Sequence, residues 1–215
     1  MLNFKLQNPL KGSKLTYHTE GGNITQFFGE NPELYAKAIP GYPAKMGHNG
    51  IDIAMPYGTP VCAAHDGTIL GIAESNALGG NQIYLHSFDF MDGGITYKVI
   101  TGYAHLSKIK VIIGQKVKCG DIIGEEGNSG FVISTATPYW DNTNPTAGAH
   151  LHFSLSFNKK IAPDKYEGLK NEYGTASVDP APYLGIQTKN ELIISKLTLL
   201  KSLYEKLISL IKKNE

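Results

Sequence analysis

Seven histidines are present, and four of them fall in three short motifs. His48-Asn49-Gly50-Ile51-Asp52 is an HxxxD, Tyr103-Ala104-His105-Leu106-Ser107 carries a single histidine, and Ala149-His150-Leu151-His152-Phe153 is an HxH. In the last of these, Leu151, Phe153 and Leu155 alternate with His150, His152 and Ser154. A strand there buries the apolar set and turns both imidazoles to the opposite face. In the first, Gly50 argues against a helix, and Ile51-Asp52-Ile53 reads as a strand with Asp52 on its polar face. Two imidazoles at strand spacing can converge on one ion or one substrate. Neutral imidazoles and a carboxylate are the usual zinc ligands, and three protein ligands with one open position make a hydrolytic site. Taken singly, each motif reads as polar positions on a half-solvated sheet; the three together favour a shared site. The remaining histidines receive structural readings. His18 lies in an N-terminal loop, His65 precedes the Asp66-Gly67 turn and is expected in solvent, and His86 ends a strand.

Such motifs need strands to hold them. Between residues 50 and 155, short apolar runs are cut by glycine turns, with strands expected at 68–72, 82–85, 97–100, 108–113 and 121–123, and an earlier one at 24–28. The β-branched content and repeated turn signals predict a mainly β fold. The expected architecture is an antiparallel sheet or sandwich with an open groove for the site, plus a C-terminal α-helix. Residues 131–148 show no period and read as a long surface loop, in which Tyr139 and Trp140 either wall a groove or pack the loop on the sheet. Beyond about Thr188, Ile193, Leu197, Leu200, Tyr204, Leu207 and Ile211 follow heptad spacing, which predicts a helix. That helix is open to three readings: docked on its own domain, a short coiled coil making an oligomer, or a basic amphipathic helix on a membrane surface.

The composition narrows the classes. With 215 residues, 41% hydrophobic and 18% charged, the chain can bury a core and is not a disordered segment. Twenty basic residues oppose nineteen acidic ones, and every basic residue is a lysine. A basic nucleic-acid binder is disfavoured on the first count, and bidentate arginine readout on the second. No run approaches the ~18 apolar residues of a membrane span, and the N-terminus has no signal-peptide core. Cys62 and Cys119 are too few for a disulfide scaffold and lack CxxC spacing. They read as small semi-buried residues, a single disulfide between them being left open. Residues 187–215 hold six lysines and three glutamates, a net +3, against −2 for the first 186, so the total of +1 is a cancellation.

HxxxD, a central Tyr-Ala-His-Leu-Ser and a late His-Leu-His-Phe, in this order, resemble the lysostaphin-type zinc metalloendopeptidases that cut peptidoglycan. The connecting text is similar too. Gly50-Ile51-Asp52-Ile53-Ala54, Gly58-Thr59-Pro60-Val61 and Asp66-Gly67-Thr68-Ile69 resemble the family's opening. Gly114-Gln115-Lys116-Val117, Gly120-Asp121-Ile122-Ile123-Gly124 and Gly127-Asn128-Ser129-Gly130 resemble its approach to the last strand, and Val178-Asp179-Pro180 its exit. The resemblance spans roughly residues 20–185. It implies one Zn2+ held by His48, Asp52 and His152, with His105 and His150 as the catalytic pair. Tyr42, six residues before His48, takes the place of a family tyrosine that stabilises the transition state. Together with the heptad spacing, the resemblance gives a division into an N-terminal extension (1–19), a zinc metallopeptidase domain (20–186) and, outside the family core, a C-terminal amphipathic heptad helix (187–215).

The implied partner is a bacterial peptidoglycan peptide, with no nucleic acid, and with self-association or surface contact through the last helix. The implied place of action is the bacterial cell wall, or a virion, for a chain made in the cytoplasm without a leader. Three competitors stand beside this reading. A carrier or wall-binding module on a similar fold lacks support from any Met-Lys or Lys-Ala turn. A catalytically dead relative is disfavoured because all five metal and catalytic positions are present. A zinc D,D- or L,D-carboxypeptidase is disfavoured by the short HxxxD spacing and the HxH.

Overall fold

The computed structural model describes all residues except 75–77, 135–136, 139–145, 188 and 214–215. Strand β1 (Ile24–Gln26) leads through helix α1 (Pro32–Ala38) to β2 (Ile51–Ile53), β3 (Pro60–Cys62) and β4 (Gly67–Ala73). Then come β5 (Asn81–Ser87), β6 (Phe90–Asp92), the long β7 (Ile95–Leu106), and the short β8 (Lys108–Ile109), β9 (Lys116–Val117) and β10 (Ile122–Glu125). A small hairpin of β11 (Ile133–Ser134) and β12 (Thr137–Pro138) precedes the long β13 (Leu151–Ala162), β14 (Lys165–Gly168) and β15 (Ser177–Val178). Helix α2 (Lys189–Lys213) follows.

The main sheet runs β1-β2-β13-β7-β5-β4-β9, with β14 and β15 on β13 and β6 on β7. Its ladders among the described residues are antiparallel. A second, three-stranded sheet is ordered β3-β10-β8. The mainly β, antiparallel expectation with a C-terminal helix therefore holds.

Alternation explains which face is which. On β13, Leu151, Phe153, Leu155 and Phe157 are buried while His152, Ser154, Ser156 and Asn158 are half-buried on the other face. On β7, Tyr97, Val99, Thr101 and Tyr103 point into the same core. Ile51, Ile53, Ile83 and Leu85 join them, and Val61 and Ile123 of the second sheet close that core from the other side. Each large apolar side chain so enclosed contributes about 1.5–3 kcal/mol. The opposite face of β2, β13 and β7 is left for polar groups. Leu6 and Leu10 also belong to the core. The N-terminal segment is fastened by Leu6 N–H to the Tyr183 carbonyl, Gln7 N–H to that of Ala64, and Cys62 N–H to that of Pro9.

Several local expectations are corrected. His65 is not in solvent: it is 4% exposed. Its Nδ1 bonds the Asp66 carbonyl at 2.8 Å and its Nε2 lies 3.0 Å from Thr101 Oγ1. Thr101 in turn donates to the Tyr103 hydroxyl at 3.0 Å, which also accepts Ala64 N–H at 2.8 Å. A buried polar network of this kind needs every member partnered, and His65 supplies one partner. The run at 108–113 is a ladder only over Lys108–Ile109. The chain then reverses through Gly114 at φ 85°, leaving Ile112 and Ile113 72% and 62% exposed. The stretch 131–148 contains the β11–β12 hairpin rather than loop alone; Tyr139 and Trp140 lie outside the described residues. Both cysteines are free thiols, Cys62 buried and Cys119 half-buried. Among the described side chains, the apolar face of α2 is not packed on the domain: Ile193, Leu197, Leu200, Tyr204 and Leu207 are 45–64% exposed.

Candidate metal centre

Two strands create the centre. Asp52 on β2 and His152 on β13 are direct cross-strand partners, and both sit on the face away from the core. His152 also faces Ala104 of β7, one residue before His105. His48 comes from the turn leading into β2. That turn is pinned by His48 N–H to the Glu30 carbonyl and Gly29 N–H to the His48 carbonyl, both at 2.8 Å. Gly47 allows this, since it has φ 67° and a Cβ there would stand 2.4 Å from the Gly29 carbonyl oxygen. Gly50 is equally constrained, because a Cβ would meet the Phe153 carbonyl oxygen at 2.5 Å and the His152 ring at 2.9 Å.

The side chains then converge. His48 Nε2 lies 2.8 Å from His152 Nδ1 and 3.1 Å from Asp52 Oδ1, and His152 Nδ1 lies 3.0 Å from the same oxygen. Three donor atoms thus form a triangle with edges near 3 Å. Tetrahedral zinc with ligands at ~2.0–2.1 Å separates its donors by roughly 3.3 Å. The second ring nitrogen of His48 contacts the Phe27 carbonyl at 3.2 Å. A carbonyl only accepts, so the proton sits on Nδ1 and Nε2 presents its lone pair inward. Burial acts to raise the pKa of Asp52, but His48, His150 and His152 beside it hold it well below the usual carboxylate range. Burial lowers His152. An ionised carboxylate and a neutral imidazole, brought together out of water, fit a divalent cation. Among the described residues, His48, Asp52 and His152 are the one group of this kind.

His105 and His150 border the triangle. Their rings are 4.7 Å apart, and His105 is 6.1 Å from the His152 ring. Strict alternation would send His105 into the core with Tyr103. Instead its backbone takes φ 62°, at an irregularity in the β5–β7 register between Asn81 and Ile83. That turn lets Leu106 enter the core and brings His105 to the polar face. His105 Nδ1 lies 2.7 Å from the Ser129 carbonyl, and His150 Nδ1 lies 2.7 Å from that of Gly148. Both therefore carry their proton on Nδ1 and keep Nε2 as an acceptor. His150 Nε2 is 3.7 Å from Asp52 Oδ2. Burial, with His150 and His152 beside it, pushes His105 down to about 3.

Tyr42 donates its hydroxyl proton to the Gly47 carbonyl at 2.6 Å, and burial pushes it up to about 12. The tyrosine stacked on His48 is Tyr35 of α1, with ring centroids 5.5 Å apart. Burial and the Asp52 charge raise it further still. Its hydroxyl lies 3.1 Å from Gln26 Oε1. Sequence reasoning missed Tyr35, because nothing in the spacing of a short, otherwise unmarked helix ties it to His48. It also missed the Phe27 and Ser129 carbonyls, although Ser129 lies inside the Gly127–Gly130 motif. The His18 ring lies away from the centre, with Nδ1 3.3 Å from the Ile24 carbonyl.

The profile of peptidase family M23 matches residues 46–163, which contain the triangle and both bordering histidines. The chain belongs to peptidase family M23. This is a family of zinc metallopeptidases, and the donor set of His48, Asp52 and His152 is of a kind that could hold such an ion. The chain is 39% identical to lysostaphin of Staphylococcus staphylolyticus over 147 residues, 66% of this chain and 26% of that protein. It is 39% identical to the peptidoglycan DD-endopeptidase ShyA of Vibrio cholerae over 108 residues, 50% of this chain and 20% of that one. Among solved structures, the catalytic domain of lysostaphin from Staphylococcus simulans matches 77% of this chain and 94% of its own, at 28% identity and a TM-score of 0.48. The M23 chain spans about a quarter of the length of the curated relatives it first matches.

One acid beside the centre stands out. Glu126 is fully buried; its Oε1 accepts Met55 N–H at 2.8 Å, and Oε2 has no hydrogen-bond partner among the described residues. Burial pushes it up to about 8 from an ordinary 4.5. The folded chain therefore holds this proton where the unfolded chain releases it. Glu126 contributes fully below pH ~4.5, and its contribution is lost as pH rises toward ~8. Glu126→Gln should match the parent near pH 4.5 and gain on it steadily to pH 8, by up to roughly 3 kcal/mol. Urea unfolding of both proteins across that window checks it; a constant difference would remove the assignment.

Proposed function

We propose that this chain is a zinc-dependent endopeptidase that hydrolyses peptide bonds in bacterial peptidoglycan cross-bridges or stem peptides, acting at the cell wall. The observation that carries the reading is the triangle of His48 Nε2, Asp52 Oδ1 and His152 Nδ1, bordered by two histidines whose Nε2 atoms are free to take a proton. Family membership and the wall-acting names of the relatives support it. In this assignment His48, Asp52 and His152 hold the ion. When bound there, zinc supplies Lewis acidity at a substrate carbonyl and a nucleophile ionised near neutral pH.

The protein's own groups do the rest. His105 carries its proton on Nδ1, so its Nε2 faces the site as the group that accepts a proton during attack and passes it to the leaving amine. Ser129 fixes the tautomer and angle of His105, and Gly148 those of His150. His150, facing Asp52, is the second proton carrier. Tyr42 reaches a developing oxyanion only by releasing its bond to Gly47. Residues 20–186 form the catalytic unit of this proposal, with 1–19 as its extension and 187–215 as a separate helix.

Mass spectrometry of muropeptides, from purified walls of several cross-link types digested by the parent and by His48→Ala, tests the reading. Internal cross-link cleavage by the parent alone is the expected result. Release of terminal alanine only would make the protein a carboxypeptidase, and no cleavage by a zinc-loaded chain would make it a binding module.

A further inference from the structure

Helix α2 stands apart from the catalytic chemistry. No described helix is long and apolar enough to cross a membrane. Yet α2 leaves Ile193, Ile194, Leu197, Leu200, Leu203, Tyr204 and Leu207 between 45% and 64% exposed. At 100° per residue, these side chains and Ile208 occupy one arc of about 180°. Ser195, Thr198, Ser202 and Ser209 line the opposite stripe together with Glu191, while Glu205 lies about 20° beyond the Ile194 edge of the arc. Lys196 and Lys201 lie just inside the two edges of the apolar arc, and Lys206 lies about 60° beyond the edge that Leu203 marks. Lys196 also reaches the Glu20 carboxylate of the domain, an exposed pair.

This distribution decides between occupants. If two copies met along the heptad seam of Ile193, Leu197, Leu200, Tyr204 and Leu207, Lys196 and Lys201 would flank that seam, and the flanking positions Ile194, Lys196, Lys201, Leu203 and Ile208 hold no acid to answer them. Leu199, 60% exposed on the shoulder of the arc, would also stay outside a two-helix seam. A flat anionic surface removes both difficulties. It takes the whole arc at once, while lysine stems run along the apolar boundary and place their ammonium groups among anionic headgroups. We propose that α2 is an interfacial anchor that lays the protein on an anionic lipid surface, through the apolar arc and its bordering lysines.

The test uses the full chain, with co-sedimentation on vesicles of phosphatidylglycerol mixed with phosphatidylcholine against phosphatidylcholine alone, at low and high salt. The expected result is binding to the anionic vesicles, weakened by salt and at least about tenfold weaker on neutral ones. Leu200→Glu/Leu207→Glu and, separately, Lys196→Glu/Lys201→Glu should each lower binding by about tenfold or more. Far-UV circular dichroism and, where wall cleavage is measurable, unchanged cleavage of soluble muropeptides show that the variants are folded. Equal binding to both vesicle types, or none by a folded chain, overturns the proposal. So does concentration-dependent self-association in sedimentation equilibrium that Leu200→Glu/Leu207→Glu abolishes while vesicles are ignored; that outcome assigns the face to a second copy.

Discussion

Asp52→Ala should lose bound zinc and wall-peptide cleavage together, with kcat/KM falling by roughly 10³-fold or more. Loss of an outer hydrogen-bond partner of a metal ligand already costs about 10–100-fold, and Asp52 provides the only anionic donor of the triangle. Without it, two neutral nitrogens 2.8 Å apart remain, which bind a divalent ion far more weakly than a closed set of three. Asp52→Asn separates charge from shape: it keeps the volume next to His152 but not the negative charge. Its zinc affinity should fall nearly as far as that of the alanine variant. Metal content after dialysis, measured by atomic absorption, is the readout, with circular dichroism to show that the sheet survives. One equivalent of zinc held by Asp52→Ala at parental affinity would remove Asp52 from the ligand set.

His105→Ala should behave in the opposite way toward the metal. Its ring contributes no atom to the triangle, so zinc content should stay at one equivalent. Cleavage should fall by about 10²–10⁴-fold, the usual worth of a positioned proton-transfer group. The loss should appear in kcat with KM little changed, because the interaction belongs to the transition state. Backbone geometry offers a control. At φ 62° a side chain with a Cβ is strained, so His105→Gly should be at least as stable as His105→Ala and equally inactive. If either variant cleaves at the parental rate while loaded with zinc, His105 moves no proton in the reaction.

The centre was legible in unequal measure. The alternation of Leu151, Phe153 and Leu155 with His150, His152 and Ser154 states which face each side chain takes, because apolar area must leave water and strand period is two. The same holds for Asp52 between Ile51 and Ile53. His105 obeys no such rule: its parity matches Tyr103, and only a left-handed residue at a ladder irregularity turns it toward the centre. His65 misled for a related reason. A histidine before an Asp-Gly turn looks solvated, but its partner Thr101 is thirty-six residues away, beyond any local pattern. Tyr35 belongs to the same class, a ring whose importance lies wholly in what it stacks on.

Helix α2 shows the limit from the other side. Its heptad spacing is local, so the helix itself was readable, and so was the lysine excess that the whole-chain charge concealed. Whether its apolar face met the domain was not, since docking depends on a complementary surface elsewhere in the fold.

By itself, then, the sequence determined the donor types, their strand faces, the antiparallel β class and the terminal helix, because burial and strand or helix period act over a few residues. Only the tertiary structure decided that Asp52 and His152, one hundred residues apart, are cross-strand neighbours, that His48 closes on them, and that His105 turns out of the core. Those outcomes rest on long-range register, and an antiparallel ladder chooses its register by the packing of the whole core rather than by the residues that end up sharing the site.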